Sequence, residues 1–348
     1  MLSFLKDLVI LSFKAVVNQT GKENEMEKSG INYAFLFDGQ GGGTSLGWDE
    51  IRQWTPEKGI LWVHLDYSAE DSNNWILNES DLDEVSSAAL LTEETRPRAT
   101  DIGDALLIAL RGINLNPGAD AEDMVAIRIW TDSKRIITTR KRRLLSAMDV
   151  ADALKSGKGP RTCGEFLVEL TNNLISRMEG AIENLEDRMA EIEEKLLTTE
   201  SYALRSDLSE IRRESIMLRR FLAPQREAMN RLYSEKVSWI NDTVRLGLRE
   251  ATDRLIRYIE DLDAVRDRAS VTQEELANRL SEQMNSRMYV LSLVAAIFLP
   301  LGFLTGLLGI NVAGIPGAEN KWAFSIFIIL LIIVVFLQMA IFKKKKWL

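Results

Sequence analysis

Two stretches decide how this chain is built: MYVLSLVAAIFLPLGFLTGLL, residues 288–308, and WAFSIFIILLIIVVFLQMAIF, residues 322–342. Neither carries a charged residue. About 20 apolar residues, rising about 1.5 Å each, cross the roughly 30 Å of hydrocarbon in a bilayer. Both stretches meet that length, and the second has no polar face to show to water. The sequence therefore predicts two transmembrane helices joined by residues 309–321. The junction reads LGINVAGIPG over 308–317 and holds only Glu319 and Lys321 as charges. Lys343, Lys344, Lys345 and Lys346 follow the second stretch, and Arg287 precedes the first. The positive-inside rule then sets both chain ends in the cytoplasm and LGINVAGIPG outside.

Upstream of residue 288 the chain reads as a charge-rich soluble protein. Across all 348 residues, 51 acidic side chains outweigh 43 basic ones, for a net charge of −8. That balance argues against nucleic acid as a partner and suits a surface that handles cations. A single cysteine, Cys163, and a single histidine, His64, exclude an internal disulfide and a tetrahedral Cys/His zinc site within one chain. His64 lies inside an apolar strand and Cys163 near a helix start, and both are expected to be structural. Residues 1–30 have two readings: an amphipathic surface helix, or an extension ahead of translation from Met26. No signal-peptide cleavage pattern follows them.

From Ile31 the pattern is strand-like. INYAFLF, ILWVHLDYS (60–68), DALLIALRGIN (104–114), DMVAIRIW (123–130) and RIITTR (135–140) read as strands, the last two as a hairpin. The glycines at 39–43 read as a turn, since no helix and no GK[ST] follows to make a phosphate cradle. Two short helices fall between residues 69 and 91, with Asp71 or Ser80 as expected caps, and another spans 142–157. After Gly164, Ile175, Met178, Ile182, Leu185, Met189, Ile192 and Leu196 recur at alternating spacings of three and four, a heptad seam with acidic residues on the opposite faces. A second helical stretch runs from about Ser201 to Leu222, where Pro224 is expected to interrupt it. From the cap Asn241-Asp242 an apolar stripe of Leu248, Leu255, Ile259, Leu262, Ala269, Leu276 and Leu280 reaches the first span. No proline intervenes before Pro300, so the sequence predicts one helix of about 67 residues, roughly 100 Å long. A helix of that length needs packing partners, including copies of itself.

One face of the first span carries Asn285, Met288, Ser292, Ala295, Leu299, Gly302, Gly306 and Gly309, with Thr305 beside it. Two readings stand open. Small residues let two helices approach closely. The same face could line a pore, with Met288 and Leu299 as hydrophobic constrictions. Gly309 can end the helix in a left-handed conformation. A ring of Asn311 side chains, one per copy, would make an oxygen collar at which a hydrated divalent cation pauses. No Asp, Glu, His or Lys lies between Met288 and Ala318, so the pore span offers no proton relay.

YVLSLVAAIFLPLGFLTGLLGIN (289–311) followed by GIPG resembles the CorA superfamily of metal-ion transporters. The aliphatic middle residue of Gly309-Ile310-Asn311, where most of that superfamily has Gly-Met-Asn, is similar to the ZntB branch of zinc transporters. WVHLDY (62–67), TRPRATDIGDALLIALRGIN (95–114), APQREAMNRL (223–232) and the terminal KWL read like segments of the same branch. The resemblance implies an α+β cytoplasmic domain, a long-helix stalk and two C-terminal transmembrane helices, assembled as a homopentameric funnel in the inner membrane. It implies a pore lined by Asn285, Met288, Ser292, Ala295, Leu299, Gly302, Thr305 and Gly306, an outer mouth at Gly309, Ile310 and Asn311 with Asn311 touching the metal, and Glu319 in the outer loop. Zn2+ is the implied substrate, no cofactor is implied, and proton-linked uptake and efflux both fit. A broader Mg2+/Co2+/Ni2+ channel and a non-transporting sensor are the alternatives. An enzyme ranks last, because the chain shows no nucleophile–base pair and no P-loop. The expected divisions are an extension (1–30), the α+β domain (31–163), acidic helices (164–240), the stalk (241–287), the first span (288–308), the outer loop (309–321), the second span (322–342) and a basic tail (343–348).

Overall fold

The computed structural model describes residues 30–198, 203–235, 237–309 and 321–345. The expectations for residues 1–29, for Ile310, Asn311 and Glu319, and for Lys346 fall outside that set. The chain divides into two compact units, Met1–Thr272 and Gln273–Leu348.

The first unit is built on a seven-stranded sheet: β1 (Ile31–Phe37), β2 (Gly43–Ser45), β3 (Leu61–Asp66), β4 (Arg98–Ile102), β5 (Ala105–Gly112), β6 (Val125–Thr131) and β7 (Arg135–Arg140), in the order β2-β1-β3-β7-β6-β5-β4. Every pairing is antiparallel except β3 with β7. Alternation along β3 sends Leu61, Val63 and Leu65 to one face and Trp62 and His64 to the other. The first face is covered by α1 (Trp48–Arg52), α2 (Glu70–Asn78) and α3 (Glu84–Leu91), through Ile51, Trp75, Ile76 and Leu90. On the second face Trp62 meets Phe166 at 4.9 Å between ring centroids. Phe166 belongs to α5 (Cys163–Ser176), which follows α4 (Leu145–Lys155).

His64 is fully buried, stacks on Tyr33 and hydrogen-bonds to Thr138 Oγ1 at 2.8 Å through Nδ1. Burial, with help from Arg140, holds its pKa well below the ordinary histidine value, so it stays neutral. Cys163 is buried at the start of α5, and burial pushes its thiol up to about 12. Both occupy structural positions.

Three details differ from the sequence reading. The cap of α3 is Asp83, which accepts from Ser86 N at 2.9 Å, while Ser80 instead donates to Ile76 O and Asp71 sits within the first turn of α2. The short β2, α1 and β4 were not expected. Their segments are brief and polar, with little periodicity to detect. Pro224 does not interrupt its helix: α7 (Ala203–Ser234) runs through it. Next to the proline, buried Gln225 accepts from Arg111 N of β5 at 2.7 Å. α7 packs on β4 and β5, and this tertiary seating outweighs one missing backbone donor.

The heptad residues Ile175 through Leu196 are all buried, but they divide between α5 and α6 (Glu179–Thr198), with Arg177 between the two helices. The final helix of this unit, α8, begins at Asp242 and is capped by Asn241, whose side chain accepts from Val244 N at 2.9 Å. It docks on α5 by a reciprocal fit. A Cβ added to Gly164 of α5 would stand 2.8 Å from Val244 Cγ2, and one added to Gly247 of α8 would stand 2.8 Å from Val168 Cγ1. Charged pairs flank this packing: Arg254 reaches Asn172 at 2.6 Å, and Arg268 pairs with Glu193 at 2.5 Å.

The second unit holds the remainder of α8, which ends at Gly309, and α9 (Ala323–Lys344). Both contain stretches long and apolar enough to cross a membrane.

Candidate functional site

Within the second unit the side chains of α8 fall into two groups. Leu293, Ala296, Ile297, Leu301 and Leu304 are partly covered. Asn285, Met288, Ser292, Ala295, Leu299, Gly302 and Gly306 are exposed, Met288 at 59% and Leu299 at 71%. At about 100° per residue these two sets lie on roughly opposite sides of the helix. Thr305 stands about a quarter-turn away from the exposed set. Its hydroxyl is spent on its own helix, donating toward Leu301 O and Gly302 O at 3.0 Å each.

The covered side meets α9. Pro300 stands inside α8 and has no N–H, so the carbonyl four residues earlier, at Ala296, loses its intrahelical donor. Gln338 of α9 replaces it, donating Nε2 to Ala296 O at 3.3 Å. In lipid no water can serve that carbonyl, and a side chain from a neighbouring helix is the usual remedy. The sequence carried a signal for this pair, a proline in one apolar stretch and an amide in the other, but nothing in either stretch alone joins them.

The exposed side has no such partner. A Cβ added at Gly302, Gly306 or Gly309 meets nothing within 4 Å, and none of these glycines has the positive φ that only glycine tolerates well. Gly309 is the last residue of a regular helix, so the expected left-handed stop does not occur there. Nothing in the chain itself requires these positions to be small. Near the start of the span a cleft of about 340 Å3 is lined by Asn285, Met288 and Ser292 together with Tyr289, Leu293 and Ala296. Among the described residues no cluster of three His, Cys, Asp or Glu side chains could hold a metal ion. The oxygen donors expected at the outer mouth belong to residues outside the described set.

Residues 57–344 match the family model for the CorA-like Mg2+ transporter protein. The chain belongs to the CorA family. Among CorA relatives, the zinc transport protein ZntB of Yersinia enterocolitica serotype O:8 / biotype 1B is 39% identical over 323 residues, covering 93% of this chain and 98% of that one. The divalent cation transporter CmaX of Pseudomonas aeruginosa is 38% identical over 326 residues, covering 92% and 98%. The solved structure of full-length CmaX superposes with a TM-score of 0.82 at 37% identity, again over 92% of this chain and 98% of that one. The α+β domain, the long helix and the two apolar C-terminal helices are thus the CorA architecture, and α8 and α9 carry the membrane spans of a CorA-family membrane protein.

Proposed function

We propose that the chain moves divalent metal cations across a membrane, Zn2+ foremost, through a pore formed by copies of itself. The observation that carries this reading is the division of α8. One side is committed to α9, and the opposite side is small, exposed and without a reason for its glycines inside the chain. A face of this kind suits either close approach of further copies or a water-filled lumen, and in a ring of helices it serves both. Five copies in the inner membrane, with both chain ends in the cytoplasm, are the assembly this proposal adopts. Met288 and Leu299 then narrow the lumen with apolar rings, Asn285 and Ser292 wet its inner end, and Asn311 forms the outer collar with Gly309 and Ile310. Glu319 stands in the outer loop. Zn2+ is cargo in this scheme, and the chain needs no cofactor.

Membership in a family of ion transporters supports transport over an anchored sensor. The name of the ZntB relative supports zinc. A second reading, a broader divalent-cation pathway, is favoured by one observation: the CmaX relative, named for divalent cations, is nearly as similar as the ZntB one.

Flux of Zn2+ into liposomes holding the purified oligomer tests the proposal, with and without an inward proton gradient. The lack of a titratable side chain in the pore span predicts flux without the gradient. Asn311→Ala in an intact oligomer should reduce that flux at least about tenfold, as expected where a ring of oxygen donors is removed from an ion's path. No flux under either condition from an intact oligomer rejects transport, and strict dependence on the gradient rejects the uncoupled pathway. Competition by Mg2+, Co2+ and Ni2+ in the same assay separates the two substrate readings.

A further inference from the structure

A cavity of about 660 Å3 lies in the first unit, where β5 and β6 meet α7 and the loops that follow α3 and β7. It takes no part in the proposed ion pathway. Its lining runs against the charge of the chain. Six cationic side chains, Arg96, Arg111, Arg128, Lys141, Arg142 and Arg220, face three acidic ones, in a protein whose net charge is −8. The acids are also largely engaged: Glu93 pairs with Lys141 and Asp123 with Arg142.

Arg111 and Arg128 stand apart from those pairs. Arg128 is only 2% exposed. Its Nη2 donates to Glu93 O at 2.6 Å and its guanidinium lies 4.7 Å from the centre of the Tyr67 ring, but its Nε has no hydrogen-bond partner among the described residues. Arg111 donates Nη1 to Met124 O at 2.9 Å and Nη2 to Thr95 O at 3.0 Å, with its plane 4.1 Å from the centre of Phe221. No carboxylate forms an ion pair with either arginine among the described residues. Burial lowers the pKa of both, and the charge of Arg128 adds to the effect on Arg111. Two neighbouring buried cations without a counter-charge are an unfavourable arrangement on their own. A multivalent anion removes the conflict, and guanidinium forks held by aromatic rings are the side chains best suited to phosphate oxygens. Arg96 and Arg220 are exposed at the mouth and can meet further charge. The volume lies within the range of pockets for whole small molecules and exceeds what one phosphate fills.

We infer that this cavity binds a polyphosphate-bearing small molecule, with its phosphates on Arg111 and Arg128. The site is independent of the transport reading and stands or falls without it. Two sources share the chemistry, a nucleoside triphosphate and inorganic triphosphate.

The test is calorimetric titration of the full-length detergent-solubilised protein in metal-depleted buffer. The probes are ATP, inorganic triphosphate, adenosine, and sodium chloride at matched ionic strength. Saturable binding of ATP, of triphosphate or of both, with none for adenosine, is expected. Tighter binding of ATP than of triphosphate identifies a nucleotide as the occupant, and the reverse identifies the inorganic ion. Arg128→Gln should weaken binding at least tenfold. Because removal of a buried arginine can unfold the domain, the exposed pair Arg96→Ala/Arg220→Ala provides the second variant, expected to weaken binding severalfold with the melting temperature unchanged. The inference is overturned by no saturable response to either polyphosphate, by a response matched by chloride, or by affinities unchanged in folded variants. Dissociation of the oligomer on addition of ATP also overturns it, because the cavity then belongs to a contact between copies.

Discussion

Gln338 shows how much one side chain carries in an apolar setting. Its Nε2 serves the Ala296 carbonyl that Pro300 leaves without a donor. Interhelical hydrogen bonds in membranes contribute about 0.6 kcal/mol on average and up to roughly 1.7 kcal/mol. Gln338→Leu should therefore lower the unfolding free energy in detergent by about 1 kcal/mol, while Gln338→Asn, too short to reach, should behave like the leucine variant. An unchanged midpoint in an SDS-unfolding titration would assign the carbonyl another donor. In the first unit, Glu169 of α5 makes the opposite kind of statement. Burial raises its pKa from 4.5 to about 7, and Glu165 and Asp149 add to the rise. The folded chain thus holds a proton that the unfolded chain releases near 4.5, and stability falls as pH rises from there to about 7. Glu169→Gln removes that loss. The side chain is partly exposed, so after discounting for solvent screening the variant should gain about 1 kcal/mol near pH 8, shrinking toward nothing near the unfolded pKa. Thermal melts at the two pH values check the sign. Neither residue stood out in the sequence: the amide of Gln338 was one polar letter in an apolar run, and the proton affinity of Glu169 comes from neighbours on another helix.

At the scale of elements, the two glycine sets of this chain do different work. Gly164 and Gly247 let α5 and α8 interlock, because a methyl group at either would crowd a valine on the other helix. Gly302 and Gly306 meet nothing within the chain. Gly306→Leu should then leave the fold of a single copy intact. Because a large side chain would block the close approach of helices, it should reduce the fraction of assembled oligomer severalfold. Size-exclusion chromatography with light scattering reads this directly, and a variant that assembles and conducts normally would remove that face from the proposed pore. Elements with strong periodicity were legible beforehand: the alternation of β1, β3, β5 and β6, the buried heptad positions of α5 and α6, and the Asn241 cap of α8. Those that were not legible had weak local signals. β2, α1 and β4 are short and polar, and α7 passes Pro224 because its seat on β4 and β5 is a tertiary fact that no local rule contains.

For the whole molecule, the order of an α+β domain, a long helix and two spans could be read from the distribution of apolar residues along the chain, and the family follows from the same order. The cavity around Arg111 and Arg128 could not be read in this way, since its residues come from five separate segments between Tyr67 and Phe221 and meet only in the folded sheet. The Pro300–Gln338 relation has a last consequence, for how the protein enters the bilayer during synthesis. Until α9 arrives, the first span carries a backbone oxygen that hydrocarbon cannot solvate. The leading span should thus linger at the insertion machinery and partition into lipid together with the second, as a hairpin rather than one helix after the other. A chain truncated before residue 338 should remain crosslinkable to the insertion machinery, and Pro300→Ala in the same truncation should release it.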